Sequence, residues 1–203
     1  QLRRYELRFR YQPLNALSLS LDFRYEQNPT LTQYVNQASF NNSTRYILGS
    51  IDNESLSTTL RLNYNINPNL TIQYYGQPFI FKANFSDFKY VNNADADSIK
   101  DRVISYSSNQ ISQNGSIFNI DEDQNGTTDY SFSNPDFAFV QFRSNLVIRW
   151  EYIPGSEIFL VWSQGVTGLG DVNNDFGRII DNQLLNAKPD NTFLIKATYR
   201  FVL

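Results

Sequence analysis

The stretch DEDQNGTTD at residues 121–129 places oxygen-bearing side chains at alternate positions. Asp121, Asp123 and Asn125 alternate along the chain, and the glycine that follows them permits a sharp turn. This order resembles the start of a calcium-binding loop, because hard cations prefer oxygen ligands. We therefore predict a calcium site whose ligands are Asp121, Asp123, Asn125, Thr127 (through its carbonyl oxygen) and Asp129.

A complete calcium loop of this kind has a bidentate glutamate at its twelfth position. Phe132 occupies that position here, and Asp136 is the nearest acid that could replace the glutamate. The alternative interpretation is an acidic, glycine-containing turn that binds no metal. The stretch DVNND at residues 171–175 is a weaker version of the same pattern, because no glycine follows in register.

Basic residues form a second chemical pattern, because they recur at alternate positions with apolar residues between them. A functional and a structural interpretation stay open. The functional one is a selectivity surface for anionic solutes, or a cradle for a plug or an acidic partner segment. The structural one is a ladder in which arginines pair with carboxylates, Asn and Tyr. Arg4 and the acidic residues Glu6, Asp22, Glu26 and Glu151 share this polar face. Its principal basic residues are Arg8, Arg10, Arg24, Arg61, Arg143, Arg149, Lys196 and Arg200.

These side chains must be positioned by β-strands, because strict period-two alternation gives a strand one apolar and one polar face. Several of the segments are about ten residues long, which is the length that a tilted strand needs to cross a bilayer. The stretch 44–51 is also strand-like, either as the upper part of the third strand or as a separate hairpin arm. The predicted strands are 2–12, 16–26, 56–66, 69–79, 141–152, 157–165 and 191–203.

The predicted connections alternate between short turns and long polar loops. The turns at 12–15, 66–69 and 153–157 are built on Pro, Asn and Gly. The loops are rich in Asn, Asp and Ser, and they span about 27–43, 80–140 and 166–190. Outer-membrane barrels show this asymmetry, with short periplasmic turns and long extracellular loops.

We therefore predict an all-β fold: an antiparallel, transmembrane, up-and-down β-barrel with long extracellular loops. An arginine that faces lipid at mid-bilayer costs roughly 2 to 4 kcal/mol, so the charged face must line the lumen. Seven predicted strands are an odd number, whereas bacterial single-chain barrels close with even numbers. We expect residues 1–203 to be the C-terminal portion of a larger barrel in the bacterial outer membrane.

Composition excludes several classes of activity within these residues. The chain has no His and no Cys, which rules out Ser-His-Asp hydrolysis, thiolate chemistry and His-ligated zinc. The formal net charge of -3 gives no electrostatic footprint for nucleic acid. We expect no catalytic site in this segment, although the acids at 121–129 leave carboxylate catalysis open.

Aromatic residues in the predicted loops allow two interpretations. They could stack on sugar rings, or they could pack the loops into a folded structure. The residues concerned are Tyr34, Phe40, Phe85, Phe88, Tyr90, Phe118 and Tyr130.

The closing stretch NTFLIKATYRFVL alternates up to its last residue. Its apolar residues Tyr199, Phe201 and Leu203 resemble the C-terminal signal that the barrel assembly machinery recognises. Leu203 stands where that signal usually has Phe. We predict that these three residues form an assembly signal, and the alternative is an ordinary edge strand.

Three stretches resemble the C-terminal part of a Bacteroidota outer-membrane family known as domain-of-unknown-function 5916, also described as carbohydrate-binding family-nine-like proteins. They span residues 45–79, 134–165 and 191–203, and RSNLVIRWEY followed by PGS and FLVWSQ is the most specific part. The resemblance implies an upstream β-sandwich similar to a carbohydrate-binding module, and it implies no settled activity.

Three functions follow as expectations. The first is an accessory or structural barrel of a surface complex, with lipid, protein or glycan partners. The second is a porin-like channel for saccharides or anionic solutes. The third, an outer-membrane enzyme, is disfavoured by the absence of His and Cys.

Overall fold

The computed structural model describes residues 1–201, apart from the side chain of Ile99. The fold is all-β with antiparallel pairing, as the sequence predicts. Helical structure is confined to α1 (Ile99–Arg102), α2 (Phe176–Ile180) and a π-helical turn (Asp181–Leu185). The strands are β1 (Arg3–Leu14), β2 (Leu17–Gln27), β3 (Thr30–Phe40), β4 (Ser43–Asn67), β5 (Leu70–Val91), β6 (Val103–Ser105), β7 (Ile111–Asn114), β8 (Ile117–Ile120), β9 (Tyr130–Ser133), β10 (Phe137–Ile153), β11 (Ser156–Gly170) and β12 (Asp190–Thr198).

The strands form a nine-stranded sheet and a three-stranded sheet. The main path of the larger sheet runs β1-β2-β4-β5-β10-β11-β12, with β3 paired to β4 and β6 paired to β5. The smaller sheet has the order β7-β8-β9. Within residues 1–201 the path is open, with β1 and β12 as its two ends, so these residues form no closed barrel by themselves. The sequence predicts that they are only the C-terminal portion of a larger one.

The alternation in the sequence sets the pairing register, because a shift of one residue would move every side chain to the other face. Phe9 lies opposite Leu21, and Leu21 lies opposite Leu60 on the next strand of the sheet. One position away, Arg8 lies opposite Asp22. The sheet therefore carries an apolar face and a charged face, each continuous across strands.

The predicted short turns are present. The turn between β10 and β11 contains Gly155, whose φ is +80°. A Cβ at this position would lie 2.5 Å from Cδ of Arg200. Glycine is therefore required here both for the backbone conformation and for the close approach of the arginine.

The predicted long loops contain more regular structure than the sequence indicated. β3 occupies most of the predicted loop 27–43 and pairs with the first part of β4. β4 is a single strand of 25 residues, so the stretch 44–51 is both its upper part and one arm of a hairpin. Polar composition concealed β3, because pairing with a neighbouring strand outweighs the weak propensity of its Gln and Asn residues.

The predicted loops 80–140 and 166–190 also contain strands and short helices that the sequence did not predict. β5 continues to Val91, and the segment after it contains α1 and β6 to β9. β11 continues to Gly170, and α2 with the π-helical turn follows. These elements are short, and short elements give too few residues for a clear hydrophobic period.

The chain divides into two compact units. We call the first the loop unit: it consists of Gln1, Asn28–Asn53 and Ala83–Phe137. Its buried core is mainly aromatic and contains Ile47, Phe88, Tyr106, Ile120, Tyr130 and Phe132.

The second unit, which we call the sheet unit, contains Leu2–Gln27, Glu54–Lys82 and the residues from Ala138 onward. Its core lies where α2 packs against one end of the apolar face. Ile179 of α2 is 1% exposed and packs with Ile80, Ala138 and Val140. The remainder of the apolar face has no such cover among the described residues.

The end of the chain differs from the prediction. β12 ends at Thr198, and Tyr199 and Phe201 follow it with exposed side chains. Leu203, the third residue of the predicted assembly signal, lies outside the described residues. No helix within residues 1–201 is long and apolar enough to cross a membrane.

Candidate functional site

The apolar face of the sheet unit is exposed along most of its length. Leu7 is 67% exposed, Phe9 is 56% exposed and Ile195 is 74% exposed. Soluble proteins rarely expose contiguous apolar patches of this kind unless the patch contacts a partner or a membrane. The exposed members of this face include Tyr5, Leu7, Phe9, Tyr11, Leu21, Phe23, Leu60, Tyr64, Trp150, Leu160, Trp162, Phe193 and Ile195.

The opposite, charged face is paired across strands. Asp22 of β2 accepts a hydrogen bond from Nε of Arg8 at 2.6 Å, and its other carboxylate oxygen lies 3.4 Å from Nη1 of Arg61. Each of these side chains belongs to a different strand, so the carboxylate links β1, β2 and β4. Two further pairs join β1 to β2, Arg4 with Glu26 and Arg24 with Glu6, each at 2.9 Å.

The same pattern recurs between β10 and β11. Arg149 forms an ion pair with Glu157 and lies 3.6 Å from a carboxylate oxygen of Glu151. Partly exposed pairs of this type contribute little each, typically about 0 to 1 kcal/mol. The arrangement is the carboxylate–arginine ladder that the sequence left open as one of two interpretations.

Some predicted basic residues stand outside the ladder. Lys196 has its ammonium 5.8 Å from the centre of the Phe159 ring. Arg143 lies over the backbone of Gly165, and the Arg200 side chain lies over Gly155. Together with Arg10, these residues form no ion pair with any residue in 1–201.

The predicted calcium loop brings three carboxylates together. Carboxylate oxygens of Asp121, Asp123 and Asp129 all lie within 4.8 Å of one another. Both Asp121 oxygens accept backbone N–H groups, from Asn125 at 3.0 Å and Gly126 at 2.8 Å. Hydrogen bonds from the backbone to the Asp121 carboxylate therefore hold the turn of this loop.

The other predicted ligands are engaged differently. The Asn125 Oδ1 atom accepts the backbone N–H of Thr127 at 2.9 Å. Phe132, at the twelfth loop position, belongs to the core of the loop unit. Asp136 accepts the backbone N–H of Phe85 at 2.6 Å, so it does not complete the group. Three clustered carboxylates fit a hard cation, and water would have to supply most of the three to five ligands that calcium still needs to reach six to eight.

Calcium binding stays a prediction, and the loop can be tested directly. At about 10 mM calcium, a site with a dissociation constant near 1 mM would stabilise the protein by about 1.4 kcal/mol. We expect that gain in wild-type protein and its loss in the double variant Asp121→Asn/Asp123→Asn, measured as resistance of the loop to proteolysis. The exposed variant Asp97→Asn is the control, and equal protection of wild type with calcium or with a chelator would contradict the site.

Sequence reasoning missed the ion pair between Arg45 and Glu122. The Arg45 Nη2 atom lies 2.8 Å from Oε1 of Glu122, and the Nε atom lies 3.0 Å from both carboxylate oxygens. The Glu122 side chain is only 8% exposed. The guanidinium also lies over the Tyr90 ring, 4.9 Å from its centre.

Two signals in the sequence could have revealed this pair. The alternation that groups Asp121 and Asp123 turns Glu122 to the opposite side of the loop. Arg45 shares its side of β4 with Ile47, which is fully buried. An arginine on the buried side of a strand requires an acidic partner, because an unpaired buried charge is costly.

Two tyrosines extend this network into the core of the loop unit. The Tyr130 hydroxyl donates to Oε2 of Glu122, and the Tyr106 and Tyr130 hydroxyl oxygens are 3.0 Å apart. Burial raises the pKa of Tyr130, and the hydrogen bond to Glu122 raises it further. Burial also raises the pKa of Tyr106, to about 12.

Alkaline titration should reveal this burial. The folded state favours the neutral Tyr106 phenol, so its stabilisation is complete below pH 10 and is lost as the pH rises to about 12. We expect ultraviolet absorbance to show a late phenolate phase near pH 12 that loses the contribution of one tyrosine in Tyr106→Phe. Tyr34→Phe, which changes an exposed tyrosine, should leave that phase intact, and a phase that titrates normally in wild type would contradict the burial.

The aromatic residues of the predicted loops fall into two groups in the structure: those packed in or against the loop-unit core, and one that is exposed. Phe88 and Tyr130 are buried in the loop-unit core, and their neighbours pack against that core. Tyr34 is 54% exposed. Packing therefore accounts for these residues except Tyr34, and the sugar-stacking interpretation does not fit them. The neighbours are Phe40, Phe85, Tyr90 and Phe118.

The fold and the two faces define a class: an antiparallel sheet protein with an exposed apolar face and an internally paired charged face. Residues 1–202 match the family described as Domain of unknown function (DUF5916). Because the match covers nearly the whole chain, this chain belongs to that family. No curated protein and no solved structure gives a significant match.

Proposed function

We propose that this chain is part of the wall of an outer-membrane β-barrel, with further strands closing the sheet between β12 and β1. In this proposal the segment has no catalytic site and serves as an accessory or structural part of a surface complex. Its partners are outer-membrane lipid, the barrel assembly machinery, and protein or glycan at the cell surface.

The observation that carries this proposal is the inverted polarity of the sheet unit. Leu7, Phe9 and Ile195 are more than half exposed, whereas many charges of the opposite face form cross-strand ion pairs. A soluble sheet would bury the apolar side and solvate the charged side. In a transmembrane barrel, hydrocarbon covers the apolar side and the lumen receives the charges.

Aromatic side chains at the short-turn end support the same placement. Tyr11 is 52% exposed, Tyr64 is 37% exposed and Trp150 is 50% exposed, and all three lie near a tight turn on the apolar face. The Trp150 and Tyr152 rings are in contact, with centroids 6.0 Å apart. Transmembrane barrels carry such aromatic girdles at the membrane interfaces.

The direction of the strands supports closure by additional strands. Adjacent strands on the main path are antiparallel in every pair whose register is resolved, which includes β1 with β2 and β11 with β12. If the whole path alternates, β1 and β12 run in the same direction, and an odd number of further strands is needed to close it antiparallel. Parallel closure by β1 and β12 themselves would break the up-and-down pattern.

Fractionation tests the location. We expect the protein, expressed with its native flanking sequence in a Gram-negative host, to sediment with the outer membrane and to resist extraction by alkaline carbonate. A known periplasmic protein is the control for release. Recovery of the protein in the soluble fraction as a monomer without detergent would contradict the proposal.

A second candidate function is a channel for anionic solutes. Arg10, Arg143 and Lys196 on the charged face lack acidic partners among the described residues, which leaves positive charge for a solute. Conductance across a planar bilayer separates the two functions. An open channel conducts and prefers chloride over potassium, whereas a narrow or plugged barrel with a structural role does not conduct.

A further inference from the structure

A polar cleft on the charged face has the features of a ligand site. It is an open groove of about 140 Å³ between residues of three neighbouring strands, β10, β11 and β12, and Arg143 and Asp190 are exposed in it. The register places its members in two rows across these strands. One row is Arg143, Gly165 and Asp190, and the next is Asn145, Ser163 and Thr192.

Gly165 makes the cleft possible, because it leaves room for the side chain of Arg143. A Cβ at Gly165 would lie 2.2 Å from Nη1 of Arg143 and 3.3 Å from its Cζ. The guanidinium therefore lies directly on the backbone of β11, between the strand that carries it and the strand that carries Asp190. A larger side chain at position 165 would therefore have to displace the guanidinium from this place.

The charged groups of the cleft have no partners within residues 1–201. The side chains of Arg143 and Asp190 form no hydrogen bond or ion pair with each other or with any other described residue. This contrasts with the ladder, in which arginines such as Arg24 pair closely with acids on adjacent strands. Ser163 Oγ donates to Oδ1 of Asn145, which leaves the Asn145 amide hydrogens and the Thr192 hydroxyl for other contacts.

We propose that this cleft binds a small organic carboxylate that also carries a hydroxyl or ammonium donor. The Arg143 guanidinium offers the planar pair of N–H groups that matches a carboxylate. The Asp190 carboxylate, one strand beyond Gly165, accepts hydrogen bonds only. A ligand that bridges the two satisfies both charges, and the amide of Asn145 and the hydroxyl of Thr192 supply further contacts.

Binding at the cleft rests on the proposed function, since a solute reaches this face if the face lines an aqueous lumen. The probes are D-galacturonate, glycine and uncharged D-galactose, titrated into the complete protein in detergent by calorimetry. We expect saturable binding of at least one carboxylate and weaker binding of galactose. A preference for galacturonate identifies a hydroxyl donor opposite Asp190, and a preference for glycine identifies an ammonium donor.

The variants separate the cleft from general charge effects. Arg143→Gln and Asp190→Asn should each weaken binding by about tenfold or more, since hydrogen bonds to charged groups contribute roughly 1.5 to 3 kcal/mol. Gly165→Ala should have a similar effect by displacing the guanidinium. Arg178→Gln removes an exposed arginine of α2 that pairs with Asp175 at 3.6 Å, and it should leave binding unchanged.

Three results would overturn the inference: no binding of either carboxylate to wild type, galactose binding as tight as that of the carboxylates, or unchanged binding in both Arg143→Gln and Gly165→Ala. The failure of the proposed function is distinguishable. If the protein binds the carboxylate but does not contact lipid, the membrane role is contradicted and the cleft is supported. If it contacts lipid but does not bind the carboxylate, only the cleft is contradicted.

Discussion

Replacing Leu60 by arginine should destabilise the membrane-inserted protein by about 2 to 4 kcal/mol, since lipid-facing arginine at the bilayer midplane has this cost. Leu60 lies on the apolar face opposite Leu21 and is 40% exposed. The measurement is the free energy of unfolding in urea from lipid vesicles. If this face were instead in water, an exposed Leu→Arg change would alter stability by less than about 0.5 kcal/mol.

Thr59→Arg is the matched control for this substitution. Thr59 is the preceding residue of β4, and its side chain lies on the charged face opposite Asp22. The same arginine introduced there stays in a polar environment beside a carboxylate, so we expect little loss of stability. Equal effects of the two variants would contradict the assignment of the faces.

Removing the positive partner of Glu122 should have the largest effect within the loop unit. Arg45→Met leaves a carboxylate that is 8% exposed without its ion pair, and breaking a buried pair in this way typically costs about 3 to 5 kcal/mol. Hydrogen exchange at the backbone amides of Ile120 and Tyr130 measures the local opening. A loss of about 4 kcal/mol corresponds to exchange about a thousandfold faster.

Two further variants show whether the unpaired charge is the cause. The double variant Arg45→Met/Glu122→Gln removes the charge but keeps an acceptor for Tyr130, so it should recover a large part of the lost protection. Arg102→Met removes an exposed arginine of the same unit whose Nε donates to the Ala96 carbonyl, and it should have little effect. Unchanged exchange in Arg45→Met would show that the pair does not stabilise the loop unit.

The strands of the sheet unit could be predicted from sequence because one physical signal dominates them. Alternation from Tyr5 to Tyr11 and from Leu17 to Tyr25 fixes both the strands and their faces, and the observed register follows it. The predicted ends of β1 and β2 lie within two residues of the observed ones, whereas β4 begins and β5 ends more than ten residues beyond the predicted bounds. Closure of the sheet does not follow from any local pattern, because it depends on strands that the alternation within these residues cannot specify.

The loop unit was harder to predict because its structure depends on contacts between distant residues. The pair Arg45–Glu122 joins positions 77 residues apart, and only the fold places them together. The acidic cluster, by contrast, is local: Asp121, Asp123 and Asp129 approach one another through a turn that their own spacing and a glycine determine. The cleft at Gly165 combines residues of three strands. The alternation could predict which face each residue lies on, but it could not predict which residues of different strands become neighbours.

Quenching of tryptophan fluorescence by lipid tests the central claim most directly. Trp150 and Trp162 both lie on the apolar face, 50% and 37% exposed. The protein is reconstituted in vesicles of brominated or ordinary phosphatidylcholine, and Trp150→Phe and Trp162→Phe assign the signal to each indole. We expect strong quenching of both indoles by the brominated lipid and weak quenching by aqueous iodide. Indoles that iodide quenches and brominated lipid does not would show that the apolar face does not contact the membrane.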